Sequence, residues 1–471
     1  AAAGRLAVRY SSRQVGRVGG GSAGAAGSDR SLAGMSMHAR CHARRSGRRD
    51  PSRAVLCRVL LAALIAVAPG ALAVGRAGAA LLRDFALPLP LFAPASAWRQ
   101  SARGVAVAAD SDAKILHLYR VLRGDTRTLR PRGLEPLGWP FADVNHDEFA
   151  IPIFAAGTGT WRIALRDYAG QPSWPGPSLA PRVFGGPVEV PRGAGPLRPA
   201  GPAGSDSDGH LVLYEQRQAL EYDLWQASTA GPGGEVRGAG ERGAALVAAG
   251  AVERFSVHGS ATNPRGESSA RATGIALLAG LLVPEDIERG RIDHALAFAA
   301  PVLRNRSPDP SEPLPGEAVY PAATTETDFY DVGPHGWRAG ERIRLKEGLV
   351  DEDCVPIEER EAAPITRMFL AALREHGAYL VDNAAGFSFF AEDIHTAPLR
   401  LSRAAVNRLA GRPAEAPLPA GKTRWQVVME ALNAALEGLP LACGPWRDGQ
   451  DPARAAITRA NFEVIAPARE P

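Results

Sequence analysis

Asp293 and His294 stand side by side in ERGRIDHALAF, where one helical turn halts at Gly290 and an apolar, strand-like run begins. A carboxylate next to an imidazole is the pairing that acid–base chemistry uses, because the acid can fix the ring and the proton it carries. Arg344 alternates with apolar residues inside RIRLKE, and Asp382 with Asn383 closes the apolar run AYLV. A guanidinium in an apolar strand is costly to bury unless it meets a carboxylate, whether from the fold or from a ligand. Each residue also has a structural reading, in which the His is hydrogen-bonded in place before a core strand and the Asp-Asn pair makes a turn. Taken together, strand-end carboxylates, a His and a buried Arg are what a sugar- or acid-binding cleft on a β scaffold requires.

Other chemistry is thinly represented. There is no phosphate-binding Gly-x-x-x-x-Gly-Lys loop, no His-Glu-x-x-His pair, no Gly-x-Ser-x-Gly elbow and no Cys-x-x-Cys pair, so no metal site is expected from these motifs. Asp143, Asn145 and Asp147 in DVNHDEF have the alternate spacing of calcium ligands, but the Gly and Glu that complete a calcium loop are missing. Turn formation explains that cluster more simply, with calcium as the minor alternative, and no other cofactor is implied.

The elements that must position these residues read as a chain of short strands. Gly and Pro together make 90 of 471 residues, which suits many strands joined by turns. GVAVAAD, KILHLYRVL, FAIPIFAAG, WRIALRDYA and PVEVP read as strands, and HLVLYEQ with ALEYDLWQAS reads as a hairpin. PITRMFLAALREHG is the clearest helix, with Gly377 just past its end, and NFEVIAP reads as a final strand. The expected fold is mainly β, a β-sandwich or barrel-like core with a few packed helices. Its organisation is a β-rich region over 80–200, a core domain over 205–395 and an Ala-rich, partly helical tail over 396–471.

Residues 1–34 show no period and read as disordered or as spurious upstream sequence. Residues 35–79 follow a basic run with the apolar AVLCRVLLAALIAVAPGALAV and the small-residue stretch GRAGAA, the three-part pattern of a secretory signal peptide cleaved near Ala79. The alternative is a retained membrane anchor. The stretch up to residue 79 carries 13 Arg and 2 acids, leaving 41 basic against 48 acidic groups beyond it, a net of −7. A basic nucleic-acid footprint is therefore not expected, nor is a membrane contact once the leader is gone. Of four Cys, Cys354 and Cys443 lie outside the leader, and they are either one disulfide in an oxidising compartment or two buried thiols. The expected location is secreted or periplasmic.

The order of DGHLVLYE, ALEYDLWQA, SARATGIALLAGLLVPEDIERGRIDHALAF, YPA, GERIRLKE and ALREHGAYLVDNAAGFSFF resembles a widespread group of exported bacterial proteins of unassigned function. That group has a hairpin ending in Leu-Tyr-Glu-Leu, then Ala-Gly-Leu-Pro-x-x-x-Gly-Leu, Ile-x-His-Ala-Leu, a Tyr- or Trp-Pro-Ala step, Gly-x-Arg-x-Arg-Leu-Lys and Ala-Leu-x-x-Tyr-Gly-x-x-x-x-Asp-Asn. The match covers about 205–395. It singles out Glu285, His294, Arg344, Asp382 and Asn383; Tyr320 is a further candidate substrate-binding residue. The chain departs from the pattern at Ala276, where Pro is expected, and at His376, where Tyr is expected. The resemblance implies export and an association with extracellular polysaccharide, and it implies no reaction.

Two functions fit these residues. In the first the protein is a carbohydrate-active hydrolase or lyase, with Asp382 and either Glu285 or Asp293 as acid and base. His294 would then be the proton shuttle, and Arg344 and Asn383 would hold the substrate. In the second it is a non-catalytic cell-envelope or polysaccharide-binding protein. Trp98, Trp161, Tyr168, Trp174, Trp225 and Trp337 would then stack on sugar rings.

Overall fold

The computed structural model of the chain describes residues 82–123, 141–147, 149–156, 161–165, 189–190, 209–225, 246–249, 251–304, 318–325, 336–444 and 459–470. The upstream segment, the leader, Tyr168, Trp174 and the side chain of Trp161 lie outside them.

Six strands make the largest sheet. They are β1 (Ala142–Asn145), β9 (Leu296–Ala299), β10 (Arg342–Leu345), β11 (Ala378–Asp382), β12 (Phe387–Phe390) and β15 (Phe462–Ile465), in the order β1-β12-β9-β11-β10-β15. β1 with β12 and β9 with β11 run parallel, and the other neighbours are antiparallel. A second sheet holds β2 (Ile153–Ala155), β5 (Leu211–Glu215), β6 (Leu220–Trp225) and β8 (Ala251–Ser256), in the order β2-β5-β6-β8. Smaller pairings join β3 (Trp161–Leu165) to β4 (Glu189–Val190) and β7 (Leu246–Ala249), and β13 (Ala442–Cys443) to β14 (Arg459–Ala460). The large sheet thus draws strands from the 80–200 region, the 205–395 stretch and the tail.

Among the described residues five helices accompany these sheets, at 25% strand against 22% helix. Among the described residues the sheets are mixed and none closes into a barrel, so strand content exceeds helix only narrowly. One reading is corrected outright: KILHLYRVL is not a strand but most of helix α1 (Ser111–Arg123). Among its buried positions, Ile115, Leu118, Tyr119 and Leu122 fall at i, i+3, i+4 and i+7, a helical stripe that the short apolar clusters disguised. Helix α2 is Pro284–Arg289, α3 is Pro364–Glu375, α4 is Arg403–Leu409 and α5 is Arg424–Leu436.

One face of the large sheet is aromatic. Phe298 from β9 meets Phe387 from β12 at 5.4 Å between ring centroids, and Phe369 from α3 meets Phe389 at 5.1 Å, both edge to face. Such pairs add to the burial gain through their quadrupoles. At the sheet edge, Asn433 of α5 acts as a substitute strand. Its Oδ1 accepts from the Val144 N–H at 2.8 Å and its Nδ2 donates to the Val144 carbonyl at 3.0 Å, capping groups that an edge strand otherwise leaves open.

The opposite face is covered by loops from 271–283 and by the segment 82–102. Close approach there depends on Gly280, which has φ +72 and whose absent Cβ would lie 2.4 Å from the Ala297 N and 2.5 Å from the Trp98 ring. Only Gly fits a left-handed position pressed against a strand backbone. Just beyond it, α2 ends at Gly290 in the left-handed conformation, whose N–H returns to the Asp286 and Ile287 carbonyls.

Candidate functional site

The strand register places Asp143, Ser388, Ala299 and Asp382 in one line across β1, β12, β9 and β11. Residues aligned across a sheet point to the same face, and with strands ~4.8 Å apart the outer two stand about 14 Å apart at Cα. This is the face opposite the phenylalanine layer. β11 carries an irregularity between Leu380 and Asp382, the kind of bulge that re-aims a side chain at a strand end. Asp382 and Asn383 are half-buried there, and the Asn383 N–H donates to Asp382 Oδ1 at 3.0 Å. At the other end of the line, Asp143 Oδ1 is buried without a hydrogen-bond partner. Burial pushes the Asp143 carboxyl up to about 6, against the opposing pull of a Ser388 hydrogen bond and nearby His146.

Behind this line lies Arg271, 1% exposed. Its Nη1 donates to the carbonyls of Ala276 at 2.9 Å and Ala279 at 3.3 Å, and its guanidinium lies over the Phe390 ring at 4.8 Å. Its Nε and Nη2 have no hydrogen-bond partner among the described residues. The carboxylates that offset its charge are Asp382 first, then Asp223 and Glu221. The last two come from β6, two residues apart and therefore on one face of that strand. Asp223 Oδ2 accepts from the Leu277 N–H at 2.6 Å, and Glu221 Oε2 accepts from the Leu278 N–H at 3.1 Å. The turn 276–279 is thus held by acids through its amides and by Arg271 through its carbonyls.

Both β6 carboxyls are fully buried, and Glu221 Oε1 and Asp223 Oδ1 lack hydrogen-bond partners. A single proton shared between the two groups would satisfy both oxygens, as in other close carboxyl pairs. Burial, with the Asp223 charge, holds Glu221 well above the usual carboxylate range; burial raises Asp223 to about 7. Nearby His210 is driven down to about 4 by burial and by Arg271.

The residues singled out in the sequence are dispersed. His294 pairs not with its neighbour Asp293 but with Asp286 of α2, Nε2 to Oδ2 at 3.2 Å, while its Nδ1 lies 2.9 Å from the Ala295 carbonyl. Burial opposes its protonation, yet the Asp286 carboxylate raises its affinity for a proton overall. Asp293 instead faces Arg289 at 2.9 Å and Arg291 at 2.7 Å near the surface. Glu285 is bound by Arg83 through both oxygens, at 2.7 and 2.6 Å. Arg344 is paired with Glu463 of β15 at 2.5 Å and donates to the Ala102 carbonyl at 2.6 Å. Tyr320 is half-buried and joined to Pro321 by a cis peptide.

His294 and Arg344 lie at one end of the central strands, and Asp382 and Asn383 at the other. Leu296 is level with Ala378, so about six residues of strand rise, roughly 20 Å, separate His294 from Asp382. The structure therefore brings Asp382 together with Arg271, Asp223 and Glu221, which the sequence reading passed over. Their signal was present in LEYDLW, two acids at strand spacing among apolar residues. Acids in a hairpin ordinarily face solvent, since they are seldom fully buried, and the pattern alone does not mark these two as buried. The calcium candidates Asp143 and Asn145 share a strand and Asp147 is exposed; among the described residues no three His, Cys, Asp or Glu gather as a metal site.

The buried acids have a measurable consequence for stability. Asp143, Asp223 and Glu392, the last also raised to about 7 mainly by burial, hold protons more tightly folded than unfolded. Their contribution is fully present below about pH 4 and is lost as pH rises through 6 to 7. His210 has the opposite sign, stabilising above about pH 6.5 and losing that as pH falls toward 4. With Glu221 raised as well, the acids outweigh the imidazole, and the fold is more stable at pH 5 than at pH 8. Thermal melts at the two pH values should show the higher midpoint at pH 5; equal midpoints, or a higher one at pH 8, would refute the burial argument.

No family model, curated protein or solved structure matches the chain.

Proposed function

We propose that the protein is an exported carbohydrate-active enzyme, a hydrolase or lyase of extracellular polysaccharide, within the exported bacterial group that its motif order resembles. Asp143 is the general acid and Asp382 the general base. The observation that carries this reading is the line Asp143–Ser388–Ala299–Asp382 on one sheet face. A general acid needs a carboxyl that holds its proton above the usual carboxylate range, and burial raises Asp143 to about 6. Its bond to Ser388 turns the carboxyl inward along the line. A Cα span of about 14 Å is too wide for the roughly 5.5 Å of a retaining pair and suits an inverting pair once both side chains lean inward. Asn383, beside Asp382, is placed to bind a substrate hydroxyl.

Export is supported by the disulfide between Cys354 and Cys443, since such bonds persist in oxidising compartments. No helix among the described residues is long and apolar enough to cross a membrane. The two larger sheets, facing each other across the 271–283 segment, form the sandwich-like core of this reading. A purely sugar-binding role has less support, because Trp98 and Trp337 are buried and Trp225 is partly so.

The test is product release from a panel of neutral and acidic polysaccharides by the wild type and by Asp382→Asn. Loss of a positioned acid or base costs on the order of 10²- to 10⁴-fold in rate. Activity that survives Asp382→Asn unchanged removes Asp382 from the chemistry, and no activity on any polymer by the wild type removes the enzyme reading.

A further inference from the structure

Resting on the assignment of Asp382 as the base, we propose that Arg271 is a shared counter-ion linking the two larger sheets, through which the Glu221–Asp223 pair acts as a positioning element for Asp382. While the pair holds a proton, the guanidinium is free to neutralise Asp382; once that proton leaves, the pair competes for it and Asp382 takes up a proton more readily.

The geometry favours this over a static salt bridge. Arg271 spends only Nη1 on carbonyls, and Nε and Nη2 are buried without hydrogen-bond partners among the described residues. A sealed cation with open donors has its charge offset through space, by Asp382, Asp223 and Glu221. Across a low-dielectric gap such interactions are strong and respond to each proton gained or lost. The pair cannot move to relieve the change, since each acid is pinned by an amide of the 276–279 turn. The other ionisable groups facing it are few. Tyr214 on β5 and Glu253 on β8 lie near Glu221 and Asp223 respectively, and His210 faces Arg271. The last stays neutral above about pH 4, so it does not compete in the neutral range. Among these described groups Asp223, raised by burial to about 7, lies close to neutrality.

The experiment follows the Asp382 carboxyl carbon by NMR in protein labelled at the aspartate side chain, with the signal assigned by its absence in Asp382→Asn. In the wild type its chemical shift should show two inflections, one its own and one near neutral pH as the pair releases its proton. In Glu221→Gln/Asp223→Asn, which keeps an acceptor for each turn amide, the second inflection should vanish. The first should keep its midpoint, because the neutral variant mimics the protonated pair that the wild type already holds at that pH. A single inflection in the wild type overturns the proposal even if the double variant fails to fold. A second inflection that persists in a folded double variant overturns it as well. The readout is independent of turnover: two inflections in a protein that cleaves no polysaccharide leave the coupling standing and remove the enzyme reading, whereas cleavage with one inflection does the reverse.

Discussion

Replacing Arg83 by Met should cost about 3–5 kcal/mol of folding stability at pH 8, the penalty for stripping the cation from a buried ion pair. Arg83 is 5% exposed and joins three parts of the chain. Its guanidinium binds Glu285 of α2 through two bonds of 2.6–2.7 Å and Glu392, just after β12, through two bonds of 2.8–2.9 Å. It also donates to the Phe85 carbonyl, while the Leu87 N–H reaches Glu285, so the N-terminal segment is folded around the cluster. Met fills the volume but leaves two carboxylates facing each other out of water. Glu392 already holds its proton up to about pH 7, chiefly through burial and despite Arg83. The loss should therefore shrink at pH 5, where protonation removes one of the stranded charges. Urea denaturation of wild type and variant at both pH values reads this directly. A loss below about 1 kcal/mol at pH 8, or one that grows on acidification, would show that Arg83 is not the partner of these acids.

The second large effect belongs to the disulfide. Cys354 lies on a turn, in a left-handed conformation with φ 65, and Cys443 is fully buried in β13, with Cα atoms 5.1 Å apart and a sequence separation of 89. That loop carries α3, α4, α5, β11 and β12. Closing a loop of this length removes enough freedom from the unfolded chain to contribute about 4–5 kcal/mol. Cys354→Ala/Cys443→Ala should lower the urea midpoint accordingly, with the same near-UV spectrum in the absence of denaturant. If the oxidised protein and the double variant unfold together, the bond contributes nothing and the two cysteines are incidental neighbours.

How much of this was legible in the sequence depended on whether a residue's neighbours were local. PITRMFLAALREHG announces α3 because its apolar stripe, its Pro start and Gly377 lie within one stretch. NFEVIAP holds β15 and HLVLYEQ holds β5 for similar reasons. KILHLYRVL misled because nine residues with clustered apolar groups satisfy either period, and the helix begins three residues earlier at Ser111. GIALLAGLLVP is apolar because it is buried, with a turn at 276–279.

The site was harder. Asp293 and His294 are adjacent in sequence, but successive residues diverge, and the true partner of His294 lies one helix back at Asp286. Arg344, read as a partner for a substrate carboxylate or a catalytic acid, pairs instead with Glu463, 119 residues away. Asp382 was marked as a strand-end acid, whereas Arg271, Glu221 and Asp223 become its neighbours only when two sheets pack. Nothing in the order of residues states which sheets those will be.

The assignment of Asp143 and Asp382 as acid and base is tested most directly by the pH dependence of kcat/KM on the polysaccharide that the wild type cleaves best. With Asp143 raised to about 6, the wild-type profile should fall on its alkaline side near pH 6. Asp143→Asn should lower the rate and abolish that limb. An alkaline limb that persists in Asp143→Asn at an unchanged rate would contradict the assignment.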